Sequence, residues 1–360
     1  MSLFNTGDKA YVMLENGRIF EGYSFGEKGT AVGEAVFTTS MTAYQENLTD
    51  PAYYGQIITQ TFPLIGNYGV NSEDYQSDKV YAKGYIVREW CNAPSNFRCE
   101  GNIDDFLKKH GVIGIHSIDT RALTKIIREN GVMNAVITTE NVYDKKDELM
   151  ELIRSYKIEN AVKTVSSSET KRYEAENAEY EAAVLDFGCK NSLIKSLNSI
   201  GCNVTVVPAD TNAEKIKELS PDGIVLSQGP GDPSENKDII NNISEISKLN
   251  IPMLGISLGH QLTALANGGK TEKLRYGHRG ASQPVKDIRR NKTFVTSKNN
   301  GYTVVSGSVQ NADEVFVNSN DSSCEGLVYN NIPCITIQFE PDKYILGLFA
   351  DMMDKKKEDK

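Results

Sequence analysis

Strand-like and helix-like runs alternate in the second half of the chain, and this alternation constrains the fold more than any other feature. The strand-like runs lie at 182–188, 204–207, 223–226 and 251–255, and the helix-like runs lie at 213–219 and 237–249. Strands and helices that alternate at this spacing form parallel βαβ units, whose functional loops follow the carboxyl ends of the strands. The pattern therefore predicts a doubly wound α/β domain with its site at that edge.

The last of these strands runs directly into Gly255-Ile256-Ser257-Leu258-Gly259, which helix-forming residues follow. A Gly-x-Ser-x-Gly sequence at a strand-to-helix turn exposes the serine side chain at the bend. The helix after it directs N–H groups and the positive end of its dipole towards an oxyanion formed beside the serine. The same five positions also occur in ordinary glycine turns. The motif marks Ser257 as a nucleophile position that needs support from other stretches.

The first half of the chain has the pattern of a β-rich domain. Short apolar runs on both sides of Asn16-Gly17 predict a hairpin, so this half should begin as antiparallel sheet. Apolar residues at helical spacing between residues 118 and 129 predict a helix, with Asp119 or Thr120 as its N-cap.

A charged stretch with few aliphatic residues separates the two patterns. We expect residues 1–142 to form the first domain and residues 181–360 to form the second. Residues 143–180 between them are expected to be a linker that includes one short helix near residues 148–156.

Composition limits the classes of function. A net charge of −9 over 360 residues argues against a nucleic-acid-binding surface. The six cysteines show no Cys-x-x-Cys spacing, and with only four histidines no structural metal site is expected. No secretory signal and no membrane-spanning run is recognised. We expect a cytoplasmic protein without metal, nucleic acid or membrane among its partners.

Several stretches resemble one enzyme family. The turn around Ser257 is similar to the nucleophile elbow of class I glutamine amidotransferases, Gly-Ile-Cys-Leu-Gly-His-Gln, in which cysteine stands where this chain has serine. The first half resembles the N-terminal domain of the small subunit of carbamoyl phosphate synthetase. The matching stretches are Thr39-Ser40-Met41-Thr42, Leu48-Thr49-Asp50-Pro51, Ile65-Gly66-Asn67-Tyr68-Gly69, Pro94-Ser95-Asn96-Phe97-Arg98 and Ile118-Asp119-Thr120-Arg121-Ala122-Leu123. The resemblance covers nearly the whole chain and implies a β-rich first domain before an amidotransferase domain.

The resemblance also implies a site. In the family, a cysteine thiolate attacks the side-chain amide of glutamine, and a His-Pro-Glu motif near the C-terminus supplies the base and the group that orients it. The oxyanion would be held by Gly229-Pro230-Gly231 and by the N–H of Leu258. The positions implied to hold glutamine are Ser40, Gly229, Gly231, Leu258, Gln261, Asn299, Gly301 and Tyr302.

The catalytic positions depart from the family. Glu340 stands at the histidine position and Asp342 at the glutamate position, and no histidine follows His278. Where the family has Asn-His-Gly, this chain has asparagine, Asn300, in place of the histidine. The Ser-Pro-Gly-Pro-like loop that follows the catalytic motif in the family is replaced by Lys343-Tyr344-Ile345. A serine hydroxyl is a poor nucleophile without an adjacent base, and an ordinary glutamate, with a pKa of about 4.3, accepts a proton weakly at pH 7. We predict that glutamine hydrolysis is lost or severely impaired.

Two alternatives remain open. If Glu340 and Asp342 lie on one face of a strand, repulsion between the carboxylates could make Glu340 basic enough to serve Ser257, which would leave residual glutaminase activity. His260 and His278 lie in stretches that match ordinary family positions, so structural roles are expected for both. The other alternative is a glutamine-binding regulatory or scaffold protein without a synthetase partner.

The resemblance implies partners as well. A large subunit would use ATP and bicarbonate to make carbamoyl phosphate for arginine and pyrimidine biosynthesis, so this chain itself should carry no cofactor. L-Glutamine is the expected small-molecule ligand.

Overall fold

The computed structural model describes residues 7–358, which form two compact units that divide between Glu159 and Asn160. Each unit has buried cores of its own. Among the residues described, no helix has both the length and the apolar character that a membrane crossing requires.

The first unit is built around a closed barrel of seven strands. In barrel order they are β1 (Lys9–Leu14), β2 (Ile19–Gly26), β8 (Ile113–His116), β6 (Gly84–Ile86), β4 (Gln56–Gln60), β3 (Thr30–Thr38) and β9 (Met133–Thr138), and β1 pairs with β9 to close the ring. Two short strands, β5 (Leu64–Ile65) and β7 (Glu89–Trp90), pair with each other outside the barrel.

The predicted hairpin is confirmed, because β1 and β2 pair antiparallel around Asn16-Gly17. The expectation of antiparallel sheet does not extend through the unit, since β4 pairs parallel with both β3 and β6. Parallel neighbours need crossover connections instead of tight turns. The crossover between β3 and β4 contains the helix α1 (Tyr44–Thr49).

Between residues 7 and 159 the structure has three further α-helices: α2 (Ile103–Lys109), α3 (Thr120–Asn130) and α4 (Lys146–Ser155). The helix expected between residues 118 and 129 is α3, and its cap is Asp119, whose Oδ1 accepts from the Ala122 N–H at 2.9 Å. The short helix expected near residues 148–156 is α4.

The stretch 143–180, expected to be a linker, divides between the units. Leu149 and Ile153 of α4 are buried in the first unit. In the second unit, Val162 of the short helix α5 (Ala161–Val165) is buried in the core, and β10 (Lys171–Tyr173) is an edge strand of the sheet. A few aliphatic residues per turn are enough to dock such short elements.

The second unit contains a ten-stranded mixed sheet. After β10 its strand order is β12 (Cys202–Pro208), β11 (Tyr180–Asp186), β13 (Gly223–Leu226), β14 (Met253–Ile256), β19 (Cys334–Ile337), β18 (Cys324–Tyr329), β17 (Ala312–Asn318), β15 (Thr271–Asp287) and β16 (Lys292–Val304). The run from β12 to β19 is parallel, and the remaining pairs are antiparallel.

Helices cover both faces of the parallel part, which confirms the predicted α/β fold class. They are α6 (Asn191–Ser199), α7 (Ala213–Leu219), α8 (Lys237–Ser247), α9 (Leu258–Ala266) and α10 (Lys343–Glu358). Alternate residues of β13 enter opposite cores, Leu226 on the side of α8 and α9 and Val225 on the side of α6 and α10. β14 lies between two parallel neighbours, β13 and β19. The residue after β14 therefore stands at the carboxyl edge of the parallel sheet, where ligands bind in such folds.

Candidate active site

Ser257 occupies the sharp turn between β14 and α9. Its backbone dihedrals are φ 51° and ψ −104°, a conformation that a residue with a side chain rarely adopts. The turn is held on both sides, because the Ser257 N–H donates to the Ile337 carbonyl at 2.7 Å and the Ser257 carbonyl accepts from the Gln261 N–H at 3.1 Å. The backbone geometry of a nucleophile elbow is therefore intact.

The two glycines of the motif allow close packing instead of supplying the strained dihedral, since the positive φ is at Ser257 itself. A Cβ on Gly255 would lie 2.7 Å from Thr336 Cγ2, and one on Gly259 would lie 2.1 Å from the Leu226 carbonyl oxygen. The glycines thus let α9 approach the strands on either side of the turn.

We expect Gly259→Ala to lower the free energy of unfolding by about 1–3 kcal/mol, because the added methyl group overlaps a backbone atom that cannot move alone. Gly347→Ala is the matched control, since that helical glycine has open space around its Cβ position. The control should stabilise the chain by about 0.5–1 kcal/mol. Thermal unfolding of both variants tests the difference, and equal shifts would contradict the packing argument.

The side chain of Ser257 belongs to a buried chain of amide groups. Gln338 Nε2 donates to Ser257 Oγ at 3.2 Å, and Gln338 Oε1 accepts from Gln261 Nε2 at 2.9 Å. Gln261 Nε2 also donates to the Tyr302 carbonyl at 2.8 Å. The side chains of Gln338 and Gln261 are buried. An amide N–H donates and cannot take up a proton, so Gln338 is not a base for Ser257.

Glu340 is engaged elsewhere. Its carboxylate forms an ion pair with Lys190, whose side chain is 11% exposed, while its backbone N–H donates to the Ser297 carbonyl at 3.0 Å. Within residues 7–358 no hydrogen bond joins Glu340 to Ser257. The predicted catalytic pair is therefore not assembled in this structure.

Asp342 also has a structural partner. Its Oδ1 accepts from the Ile345 N–H at 3.0 Å at the start of α10, which is the geometry of a helix N-cap. β19 ends at Ile337, before both carboxylates. The idea that Glu340 and Asp342 repel each other on one face of a strand is therefore wrong, because neither residue lies on a strand and each has a different partner.

The predicted oxyanion loop lies against the start of α9. A Cβ on Gly229 would stand 2.1 Å from the Phe187 carbonyl oxygen and 2.9 Å from Leu258 Cδ2, so only glycine fits there. Gly231 has φ 90°, in the region that favours glycine. Leu258 is the first residue of α9, as expected for a residue that presents its N–H at the turn.

The remaining predicted positions of the second unit lie on β16. Asn299 pairs in register with Arg279 of β15, and a Cβ on Gly301 would stand 3.3 Å from Arg279 Nη2. Tyr302 contributes its carbonyl to the amide chain, where it also accepts from Asn300 Nδ2 at 2.9 Å. Ser40 belongs to the first unit, where it is buried and Thr38 Oγ1 donates to its Oγ at 3.3 Å.

Sequence reasoning missed Lys190 and Gln338 as site residues. Gln338 lies just after the end of β19 at Ile337, and its side chain donates to Ser257 whereas Glu340 pairs with Lys190, so alternation along a strand does not predict the contact. Lys190 is separated from Glu340 by 150 positions, and no local pattern indicates the pairing.

The two histidines of this unit have other partners, as expected. His260 is buried, with Nδ1 2.7 Å from Thr336 Oγ1. His278 Nε2 lies 2.8 Å from Asp321 Oδ2. This contact holds the pKa of the Asp321 carboxyl well below its usual range.

Burial lowers the pKa of His260 to about 3, whereas a histidine in an unfolded chain has a pKa of about 6.5. Between these values the unfolded chain takes up a proton that the folded chain does not. The stability from neutral His260 is therefore complete above pH 6.5 and is lost as the pH falls towards 3. At pH 5.5 we expect a loss of about 1 kcal/mol relative to neutral pH.

Thermal unfolding of wild type and His260→Gln at pH 7.5 and pH 5.5 tests this expectation. The wild type should lose about 1 kcal/mol more stability on acidification than the variant, which carries no titratable group at this position. The same pH dependence in both proteins would show that His260 is not held neutral.

Comparisons with known proteins agree with this geometry. Residues 183–348 match the family described as glutamine amidotransferase class-I, and residues 12–137 match the carbamoyl-phosphate synthase small chain, CPSase domain. The second unit is therefore a class I glutamine amidotransferase domain that follows a CPSase domain.

Curated relatives align over almost the full chain. The carbamoyl phosphate synthase small chain of Clostridium perfringens is 46% identical over 336 residues, 93% of this chain and 94% of that protein. The small chain of Archaeoglobus fulgidus is 45% identical, covering 93% of each. That of Listeria monocytogenes is 42% identical, covering 97% of this chain and 98% of its own length. This chain belongs to the carbamoyl phosphate synthase small chain family.

Proposed function

We propose that this chain is a carbamoyl phosphate synthase small subunit that binds glutamine but does not hydrolyse it. The observation that carries the proposal is the separate engagement of the two predicted catalytic side chains. Ser257 Oγ accepts from an amide of Gln338, and the carboxylate of Glu340 pairs with Lys190. A hydroxyl without a base is a weak nucleophile at neutral pH.

Retention of the ligand site is the second part of the proposal. The strained turn at Ser257, the close-packed loop at Gly229 and the amide chain through Gln261 remain in place. These features support a binding site for a neutral amide, and such a site does not depend on a base beside Ser257. Binding with no turnover would make the chain a scaffold or a glutamine-responsive regulator.

A large subunit that uses ATP and bicarbonate is the proposed partner, since the relatives are small chains of carbamoyl phosphate synthase. Ammonia for carbamoyl phosphate would then come from solution. The products would serve arginine and pyrimidine biosynthesis in the cytoplasm.

Ammonia release from L-glutamine by the purified full chain tests the proposal. We expect wild type and Ser257→Ala to give the same background rate, while calorimetric titration shows saturable glutamine binding. Glutamine-dependent ammonia release that Ser257→Ala abolishes would overturn the proposal and establish residual glutaminase activity.

Co-purification from the source cell distinguishes the alternative of a glutamine-binding protein without a synthetase. We expect a large subunit to elute with the chain, and the complex should make carbamoyl phosphate from ammonium salts but not from glutamine. Isolation of the chain alone, under conditions that preserve related complexes, would favour the stand-alone alternative.

A further inference from the structure

Ser257 has a hydroxyl proton that no group in the described part of the chain accepts. A serine hydroxyl offers one donor and two acceptor lone pairs. Gln338 Nε2 donates to one of these lone pairs. Within residues 7–358, Ser257 Oγ makes this one hydrogen bond. Ser257 is 7% exposed, and a buried hydroxyl normally has a partner for its proton.

A hydrogen bond from Gln261 fixes the orientation of the Gln338 side-chain amide. Its Oε1 accepts from Gln261 Nε2 at 2.9 Å, so its NH₂ group must face Ser257. Gln261 is held in turn by the Tyr302 carbonyl at 2.8 Å. Gln261 Nε2 is the donor in both of these contacts, so Gln338 Oε1 is held as an acceptor and Gln338 Nε2 is left to donate to Ser257. The hydroxyl proton of Ser257 is thereby directed away from Gln338.

Gln228 follows the carboxyl end of β13, at the same edge of the sheet. Both side-chain amide atoms of Gln228, which is 2% exposed, have no hydrogen-bond partner among the residues described. Its neighbour Ser227 accepts from the Gly259 N–H at 3.1 Å, which places this loop against the start of α9. Buried polar groups without partners are rare in native proteins, and a bound ligand is one explanation for them.

We propose that Ser257 is a ligand-binding hydrogen-bond donor, and that Gln338 is the positioning residue that makes it one. The ligand is a primary carboxamide such as glutamine, whose carbonyl oxygen accepts the Ser257 hydroxyl proton. This inference rests on the proposed function, because a serine that donates its proton to the ligand oxygen is not acting as a nucleophile on it.

Gln338→Glu tests the inference, because it replaces the donor that faces Ser257 with an acceptor. A carboxylate accepts from both Gln261 and Ser257, so the hydroxyl proton would turn inward and be unavailable to the ligand. We expect L-glutamine to bind about ten-fold more weakly to Gln338→Glu and to Ser257→Ala in calorimetric titrations of the full chain. The double variant should also lose about ten-fold, because both changes remove the same hydrogen bond.

Gln310→Glu is the matched control, since it makes the same substitution at an exposed position and should bind glutamine as wild type does. Thermal unfolding establishes that each variant is folded. If Gln338→Glu does not fold, Ser257→Cys replaces it, because a thiol is a weak donor and should lose as much affinity as Ser257→Ala.

Two results would overturn the inference alone: wild-type affinity in Ser257→Ala, or a hundred-fold loss in the double variant, which would show independent effects. Ammonia release by the wild type would instead overturn the proposed loss of hydrolysis. Absence of saturable glutamine binding by the wild type would overturn both.

Discussion

Glutamine hydrolysis is expected to rise by about 10²- to 10⁴-fold over the wild type when Ser257→Cys and Glu340→His are combined in one chain. The thiol supplies an intrinsically strong nucleophile, and the imidazole supplies a base with a pKa near neutrality. The elbow is already formed, with Ser257 at φ 51° and its N–H bound to Ile337. The turn that presents residue 257 is therefore already in place for the thiol.

Each single variant should remain near the background rate, because nucleophile and base act as a unit and neither works well alone. Ammonia release, measured with saturating L-glutamine, distinguishes the wild type, the two single variants and the double variant. Comparable rates in Ser257→Cys and in the double variant would show that a side chain at position 340 does not activate the nucleophile. A wild type as active as the double variant would contradict the proposed function.

The recovery should stay below that of a full triad, since nothing orients the new imidazole. Asp342, at the third position, caps α10 through the Ile345 N–H. Asp342→Glu would lengthen the carboxylate but sacrifice this cap, at a cost of about 1 kcal/mol in stability. In the double variant Ser257→Cys with Glu340→His, Lys190 loses the carboxylate of Glu340. Thermal unfolding must therefore show that this variant is folded.

Local pattern was sufficient to predict the framework of the site. Alternating runs gave the parallel strands β11 to β14, and the Gly-x-Ser-x-Gly stretch located the turn after β14. The helix cap at Asp119 and the hairpin at Asn16-Gly17 were also predictable. Each of these features depends on residues close together in sequence, where turn geometry and side-chain spacing decide the structure.

The partners of the polar side chains could not be predicted in this way. Glu340 and Asp342 are two residues apart, and spacing alone suggested mutual repulsion, yet the chain leaves the strand at Ile337 and gives each carboxylate its own partner. The barrel of the first unit was missed for a related reason. Closure between β1 and β9 joins segments more than a hundred residues apart, and no local signal reports such pairing.

The largest effect on stability is expected from breaking a buried ion pair of the second unit. Lys298 of β16 pairs with Glu325 of β18, and both side chains are fully buried. Asn318 Nδ2 donates to Glu325 Oε1 at 3.0 Å, whereas Glu325 Oε2 has no partner within residues 7–358. Burial lowers the pKa of Lys298, because desolvation outweighs the attraction of Glu325.

We expect Lys298→Met to lower the free energy of unfolding by about 3–5 kcal/mol, since it leaves the Glu325 carboxylate buried without its counter-charge. The double variant Lys298→Met with Glu325→Leu should recover most of this loss, because an apolar pair avoids the desolvation of two charges. Calorimetric unfolding of the full chain measures both. Lys215→Met is the control, because its pair with Glu218 is exposed and should be worth less than about 1 kcal/mol.

The pair also connects stability to the ligand site. The Gln338 N–H donates to the Glu325 carbonyl at 2.9 Å, so the strand that carries the buried carboxylate also holds the residue that orients Ser257. Lys298→Met should therefore weaken glutamine binding as well as folding, and the double variant should restore both together. Recovery of stability without recovery of affinity would show that the charge pair serves the fold and that Gln338 keeps its orientation without it.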